Sequence, residues 1–475
     1  MTGASVSFLM FAAVVILCAN FRQRTEWRQS TLLIASIAFV WMCADKQSLL
    51  PMAAFLGLGY VGLKLINSGH LRSAAPMVVI TILIFIWLKK YTFLPSSIFL
   101  PVTYSTVGLS YIFFRIIHLM VDADNKNLPD RVGLASYLTY TLNFTTLVAG
   151  PIQRYQDFDE SCRNARRPSV LKVGAAIERI IVGFFKANVL ALVFSLLQSG
   201  AISRLAAAPE WRTRVVQGAI MIASYPFFLY CNFSGYIDIV IGIAQLMGLR
   251  LPENFDRPFS ASSFIDFWNR WHITLSTWLK TYVYVPIVMA LMSRYPSETL
   301  APLWGVLAFF VTFSLVGVWH GRTATFLFFG VLQGLGVSIN KLFEIAMVAA
   351  LSRKRTRVVT ANPIYIAVCR GLTFTWFAFS LLWFWSNWGD LASLAGTMGK
   401  SAIAVVLGLI FGASTLGLAL WESVRAASLR IQWRDLIILR SRYIRTAWCT
   451  VLVLVTTTTM LVMHQEAPEI VYKAF

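Results

Sequence analysis

The chain has 475 residues, 57% of them hydrophobic and only 13% charged, with 41 Lys+Arg against 21 Asp+Glu and a net charge of +20. Soluble domains carry roughly 25% charged residues, so the polar surface of a water-soluble protein is missing, and 14% aromatic content excludes disorder. Length and only six cysteines exclude a small disulfide scaffold, which leaves an integral membrane protein.

The first apolar stretch, Ser5 to Ala19, is followed rather than preceded by basic residues (Arg22, Arg24, Arg28). A cleavable signal peptide has the opposite order, so the segment reads as a retained helix with its N-terminus outside and Arg22 to Arg28 in the cytoplasm. Candidate spans lie near 4–20, 31–43, 48–67, 74–88, 97–121, 134–150, 173–198, 214–231, 235–249, 282–294, 301–319, 323–343, 364–387, 402–421 and 446–463. A crossing takes about 20 apolar residues. Segments 31–43 and 282–294 fall short and read as re-entrant or half-spanning, a form tolerated only where backbone is buried in protein or lines a wet cavity. The expectation is an all-α polytopic membrane protein with about 11–13 transmembrane helices, plus re-entrant and interfacial helices, around an internal cavity.

Between the spans, basic residues cluster at Arg163, Arg166 and Arg167, at Arg353, Lys354, Arg355 and Arg357, and from Arg425 to Arg445. This is the pattern of cytoplasmic loops under the positive-inside rule, not of a nucleic-acid surface. The Arg-rich stretch 422–445 fits a surface helix near anionic headgroups. The six cysteines show no CxxC spacing, so neither a zinc site nor a redox pair is indicated. They read as small buried residues, with Cys162, in a polar stretch, the candidate for lipidation. Gly57, Gly59 and Gly62 fit GxGxxG, but inside an apolar helix they read as helix-packing positions. Gly330 with Gly334, and Gly408 with Gly412, read the same way.

Ionisable groups at membrane depth are costly and are functional candidates. Of the five histidines, His70 and His464 fall in polar connections, and His118 reads as an interfacial group at the end of a span. His320 closes the apolar stretch Leu303 to Trp319, between Gly317 and Gly321, where missing side chains let substrate or backbone approach. Its imidazole can serve as a general base near neutral pH or be satisfied by a helix-contact carbonyl. His272 lies in Asp266-Phe267-Trp268-Asn269-Arg270-Trp271-His272-Ile273-Thr274-Leu275-Ser276-Thr277-Trp278. Read as one helix, this puts Trp268, Trp271, Leu275 and Trp278 on one face, pairs Asp266 with Arg270, and sets His272 beside Ser276. Two readings remain open: an interfacial helix anchored by tryptophans, or a ligand-facing polar side formed by Asn269, Arg270 and His272. HExxH, GxSxG and P-loop patterns are absent from the sequence, which argues against zinc or serine-elbow hydrolysis.

Several segments together resemble the membrane-bound O-acyltransferase (MBOAT) family. They are Asn143 to Tyr155 with Ala149-Gly150-Pro151-Ile152, Phe184-Phe185-Lys186, Ser234 to Ile239, Leu251 to Phe259, Phe267 to Trp278, and Gly317 to Gly321 with Thr323 to Gly334. They follow the family's order over about residues 100–340. The likeness is to a bacterial branch that includes alginate O-acetyltransferases and teichoic-acid D-alanyl transferases. Lys280-Thr281-Tyr282 stands where relatives read Arg-Asp-Tyr, and Val288 to Met292 replaces a glycine-rich basic loop. Both departures speak against alginate as the acceptor.

The resemblance implies a single transmembrane domain over 1–475, with N-terminal helices 1–95, a motif-bearing core 96–345 and C-terminal helices 346–475, forming a funnel around a central tunnel. It implies His320 and His272 as catalytic residues. Substrate contacts are expected from Asn269, Trp268, Trp271, Arg270, Trp319, Arg154 and Ser276. No bound cofactor or metal is implied; the acyl donor would be acetyl-CoA or an acyl carrier protein thioester. The acyl group, acetyl or D-alanyl, would pass to a hydroxyl of a cell-envelope or secreted polysaccharide, directly or through a periplasmic relay or transferase partner. The place is a bacterial cytoplasmic (inner) membrane, with lipid as surroundings and no nucleic-acid partner. The rival expectation is a non-catalytic transporter or flippase of an envelope precursor.

Overall fold

A computed structural model describes residues 5–99, 108–128, 132–207, 210–430 and 441–463. In chain order the helices are α1 (Val6–Phe21), α2 (Thr25–Cys43), α3 (Lys46–Asn67), α4 (Ala75–Lys89), α5 (Leu109–Asp124), α6 (Leu134–Thr141), α7 (Tyr155–Arg163), α8 (Val170–Phe185), α9 (Ala191–Ala206) and α10 (Trp211–Leu246). There follow α11 (Phe264–Arg270), α12 (Ile273–Leu279), α13 (Val285–Arg294), α14 (Ala301–His320), α15 (Ala324–Thr360), α16 (Pro363–Ser380), α17 (Leu382–Trp385), α18 (Trp388–Met398), α19 (Lys400–Arg430) and α20 (Arg442–Met463). The chain is an all-α polytopic membrane protein. Among the described residues, nine helical runs are long and apolar enough to cross a membrane, and Val6–Phe21 and Ala75–Lys89 are shorter apolar helices.

Several expected boundaries move, for identifiable reasons. Segment 282–294 is not short: a π-helical turn at Lys280–Tyr284 joins α12 to α13, giving a 22-residue run, Ile273–Arg294. The spans expected at 214–231 and 235–249 are one 36-residue helix, α10, which carries Pro226 in its interior. Segment 134–150 does not span. α6 has eight residues, and the chain from 142 to 154 is non-helical. Gly408 and Gly412 have nothing within 4 Å of a Cβ built on them, so they are not packing positions against any described residue. In the Arg-rich stretch, Arg425 pairs with Glu422 at 2.6 Å, and residues 431–440 lie outside the described residues, as does His464.

The chain divides into two compact units that interleave along the sequence. The first comprises the described residues within 1–188, 232–253 and 456–463. Its buried apolar core runs from Phe8 in α1 through Leu63 in α3 and Ile112, Ile116 and Met120 in α5 to Ile239 and Ile243 in α10. Non-helical backbone in an apolar interior must find partners within the protein, and α5 supplies them for 141–155. Arg115 donates through Nη1 to the Thr141 carbonyl (2.7 Å) and through Nη2 to the Thr146 carbonyl (3.0 Å). His118 accepts the Tyr155 backbone N–H through Nε2 at 2.8 Å. With 1% exposure, His118 is therefore a buried structural histidine, not an interfacial one; the aromatic and aliphatic residues around it in α5 pack inward.

In the same unit, α8 and α10 touch backbone to backbone: a Cβ on Gly183 would sit 2.6 Å from the Gly235 carbonyl oxygen. That contact aligns a charge network. Asp238 accepts from Arg179 Nε (2.9 Å) and Lys186 Nζ (2.7 Å), and Arg179 forks onto both oxygens of Glu253. The network ties together three segments singled out by sequence, those holding Lys186, Asp238 and Glu253. Cys162, in the amphipathic α7, is 2% exposed; burial, followed by the nearby Asp159 carboxylate, pushes its thiol up to about 12. Its polar neighbours face outward while the thiol faces in, so it is not placed for lipidation.

The second unit comprises residues 189–231 and 254–455. One apolar cluster joins α9, the first part of α10, α16 and α19 through Leu205, Met221, Ile222, Phe374 and Ile410.

Two outcomes follow. Asp238→Ala leaves Lys186 without its carboxylate and Arg179 with one fewer, and is expected to cost about 2 kcal/mol, seen as a lowered unfolding midpoint in detergent; an unchanged midpoint would show the network to be dispensable. Cys162 is expected to resist maleimide in the folded protein and to react on denaturation, as read by peptide mass spectrometry.

Candidate active site

The site residues of the second unit sit where helices stop. α14 ends at His320, with Gly321 in extended conformation (φ −162°, ψ 172°) as its cap. α15 lies directly against the last turn of α14: a Cβ on Gly317 would meet the Phe326 carbonyl at 2.1 Å and the Gly330 nitrogen at 2.5 Å. The small residues before His320 thus admit backbone of α15, and the Phe326 ring lies beside Gly321. His320 is 3% exposed. Its ring lies 4.4 Å from Trp319, 5.0 Å from Phe384 and 5.8 Å from Phe329, centroid to centroid.

His272 occupies a second break. The segment 266–278 is not the continuous helix its periodicity predicts. α11 stops at Arg270, α12 starts at Ile273, and His272 between them is left-handed (φ 45°, ψ 52°). A non-glycine residue there carries a cost of about 1–2 kcal/mol, and strain of this kind gathers at functional positions. The break is made by the segment 254–256. Phe255 bridges antiparallel to Trp271. The Asp256 N–H bonds to the Arg270 carbonyl (3.0 Å), and the Ile273 N–H to the Asn254 carbonyl (3.0 Å). Helical periodicity cannot report this, because the competing partner comes from another part of the chain.

The break re-sorts the expected residues. Trp271 turns into an aromatic cluster with Phe255, Phe267 and Phe377, at 5.1–5.6 Å. Trp268 packs on Phe313 of α14 at 5.0 Å, and its indole N–H is buried with no acceptor among the described residues. Both indoles are buried, 3% and 2% exposed, so they are not interfacial anchors. Arg270 pairs with Asp266 as expected (2.9 Å) and also lies 3.6 Å from Asp256. Asn269 is exposed, so Asn269, Arg270 and His272 do not form one polar side. Ser276 donates its backbone N–H to the His272 carbonyl (3.0 Å) and its hydroxyl to the Trp271 carbonyl (3.4 Å), which bonds it to the break through backbone. Arg154 is exposed and caps α7 in the first unit.

What the structure does bring together is His272, Trp319 and His320. His272 is fully buried, and its ring meets the Trp319 ring edge-on at 5.9 Å. One indole therefore contacts both imidazoles. Polar bonds tie the neighbouring helices together: the Ile265 N–H of α11 donates to Asn340 Oδ1 of α15 (2.9 Å), and Gln333 Nε2 of α15 to Ser380 Oγ of α16 (2.8 Å). Two buried imidazoles in an aromatic enclosure can exchange protons with a bound reactant while most water is kept out. Asn254 lies inside the segment Leu251 to Phe259 that the sequence singles out, but nothing in its local pattern marks it as a partner of the His272 break.

Comparison with known proteins bears on what this enclosure is for. The sequence model of MBOAT, the membrane-bound O-acyltransferase family, matches residues 9–384. The chain belongs to this family. Among its relatives, the teichoic acid D-alanyltransferase of Bacillus subtilis is 28% identical over 242 residues, 50% of this chain and 60% of that protein. The probable alginate O-acetylase AlgI of Pseudomonas fluorescens is 28% identical over 351 residues, 72% of this chain and 66% of the relative. The peptidoglycan O-acetyltransferase of Helicobacter pylori is 31% identical over 220 residues, 45% of this chain and 39% of the relative. The matched region thus spans less than two thirds of each of these relatives.

The packing of α14 on α15 gives a direct check. Gly317→Ala drives its Cβ into α15 backbone and is expected to displace His320, one helical turn further on, lowering the unfolding midpoint by several degrees in detergent. A midpoint equal to that of the parent chain would show that the helices can part without cost.

Proposed function

We propose that this chain is an O-acyltransferase that moves an acyl group, acetyl in the first instance, from a thioester donor to a hydroxyl of a cell-envelope or secreted polysaccharide. The observation that carries the reading is the pair of buried imidazoles, His272 and His320, meeting a single indole, Trp319, at two helix breaks. Family membership supplies the reaction class. Its relatives are named for acetyl transfer to alginate or peptidoglycan and for D-alanyl transfer to teichoic acid. Acetyl-CoA or an acyl carrier protein is the donor on this reading, and D-alanyl is the alternative acyl group. On this reading the enzyme works in a bacterial inner membrane, with a periplasmic relay or transferase partner for acceptors beyond its reach.

In the proposed reaction His320 takes the proton of the acceptor hydroxyl as its oxygen attacks the thioester carbonyl. The carbon–sulfur bond then breaks, the ester forms, and the departing thiolate takes the proton back from His320. His272, with the buried Trp268 N–H as a further donor, stabilises charge on the carbonyl oxygen during attack. Trp319, which meets both imidazoles, excludes water that would otherwise hydrolyse the thioester, and Trp271 in its aromatic cluster anchors the break beside His272. Arg270, Arg154 and Asn269 have no role in the bond-making step; Arg270 and Asn269 suit contact with an anionic donor, and Arg154, in the first unit, is a separate exposed cation that would attract one.

The test uses the purified chain in micelles with an acyl thioester and envelope polysaccharide, following free thiol release and acylated product. His320→Ala is expected to lower turnover by about 100-fold or more, with size-exclusion behaviour unchanged, and His272→Ala to lower it by less. Full turnover in His320→Ala would remove that residue from the chemistry. Polysaccharide bound or moved with no thiol released by the parent chain would point to transport instead.

A further inference from the structure

We infer that Asn254 is a positioning residue for His272: through its side chain and its own backbone it sets the left-handed turn that withdraws the imidazole from the α11–α12 helix line. The inference rests on the reading of His272 as a site residue.

Helix α12 begins with N–H groups that have no partner inside the helix. The residue in its N-cap position, His272, makes no side-chain cap. The bonds come from Asn254 instead. Its carbonyl takes the first N–H, of Ile273, at 3.0 Å. Its Oδ1 takes the second, of Thr274, at 3.1 Å, and the Thr274 hydroxyl at 2.6 Å. An asparagine oxygen is a favoured helix N-cap; here a residue far back in the chain, well before the N-cap position His272, plays that part. Asn254 is fully buried, at 0% exposure, so water cannot stand in for it.

The geometry closes from both sides. On one side of His272, Trp271 is held by the bridge to Phe255 and Arg270 by the Asp256 N–H. On the other, Ile273 and Thr274 are held by Asn254. His272 is the one residue between the two clamps. Without the second clamp, nothing in the helical sequence opposes a relaxed α-helix through 266–278, and that would carry the imidazole round the helix axis, away from Trp319. Arg257, left-handed at φ 46°, turns the clamp strand away immediately after it has paired.

The experiment compares Asn254→Ala and Asn254→Asp with the parent chain in micelles. Asparagine to aspartate keeps the acceptor oxygen for Thr274; alanine removes it. Two readouts are taken: acyl transfer, and modification of each histidine by diethylpyrocarbonate, mapped by mass spectrometry. Asn254→Ala is expected to raise modification of His272, buried in the parent, by several-fold. His118, equally buried in the other unit, stays protected. Turnover is expected to fall by about 100-fold with the donor KM unchanged, and Asn254→Asp to recover most of both signals. Equal gains at His118 and His272 would mean general loosening and would overturn the inference. So would parent-like modification of His272 in Asn254→Ala. If the parent chain itself transfers no acyl group, the acyltransferase reading fails, while the histidine map still decides whether Asn254 holds His272.

Discussion

A chain that is mostly apolar can leave the α-helix only where something inside the protein satisfies the backbone it exposes. That constraint organises this molecule. In one unit the non-helical segment from 142 to 154 is held at its two ends by Arg115 and His118, both buried on α5. In the other, the interruption at Trp271 and His272 is held by residues 254–256. Elsewhere the chain stays helical over long distances, as α10 does for 36 residues with Pro226 in its interior.

The same constraint makes the breaks useful. A histidine within an unbroken helix is confined to the helix surface, and its neighbours are fixed by the 3.6-residue repeat. At a break the backbone turns, and the side chain can be delivered into a space that packing has already closed. His320 at the end of α14 and His272 between α11 and α12 are both delivered this way, and Trp319 meets both rings. The side chains whose rings lie against His320 are aromatic: Trp319, Phe329 and Phe384. On the proposed reading, such surroundings would favour proton transfer to a bound reactant over exchange with water.

Much of this was legible in the sequence. The scarcity of charged residues marked the membrane, and the position of His320 between Gly317 and Gly321 marked a close helix approach that α15 fills. Two other readings failed for the same physical reason. The tryptophan spacing across 266–278 is truly helical, yet a pairing with residues 254–256, distant in sequence, breaks it. His118 looked interfacial because it follows an apolar run, yet it is buried to cap the Tyr155 N–H. Asn269 illustrates the cost of the first error. A helix would put it near His272, and the break leaves it exposed.

Composition, hydropathy and motif order therefore determined the class of protein, its helical character and the two histidines worth following. Those properties depend on local chemistry, since apolar length sets a span and residue type sets what a side chain can do. Which histidine serves structure and which faces a shared indole was decided only by tertiary contacts. Hydrogen bonds between segments far apart in the chain choose where a helix stops, and no local pattern records the distant partner that stops it.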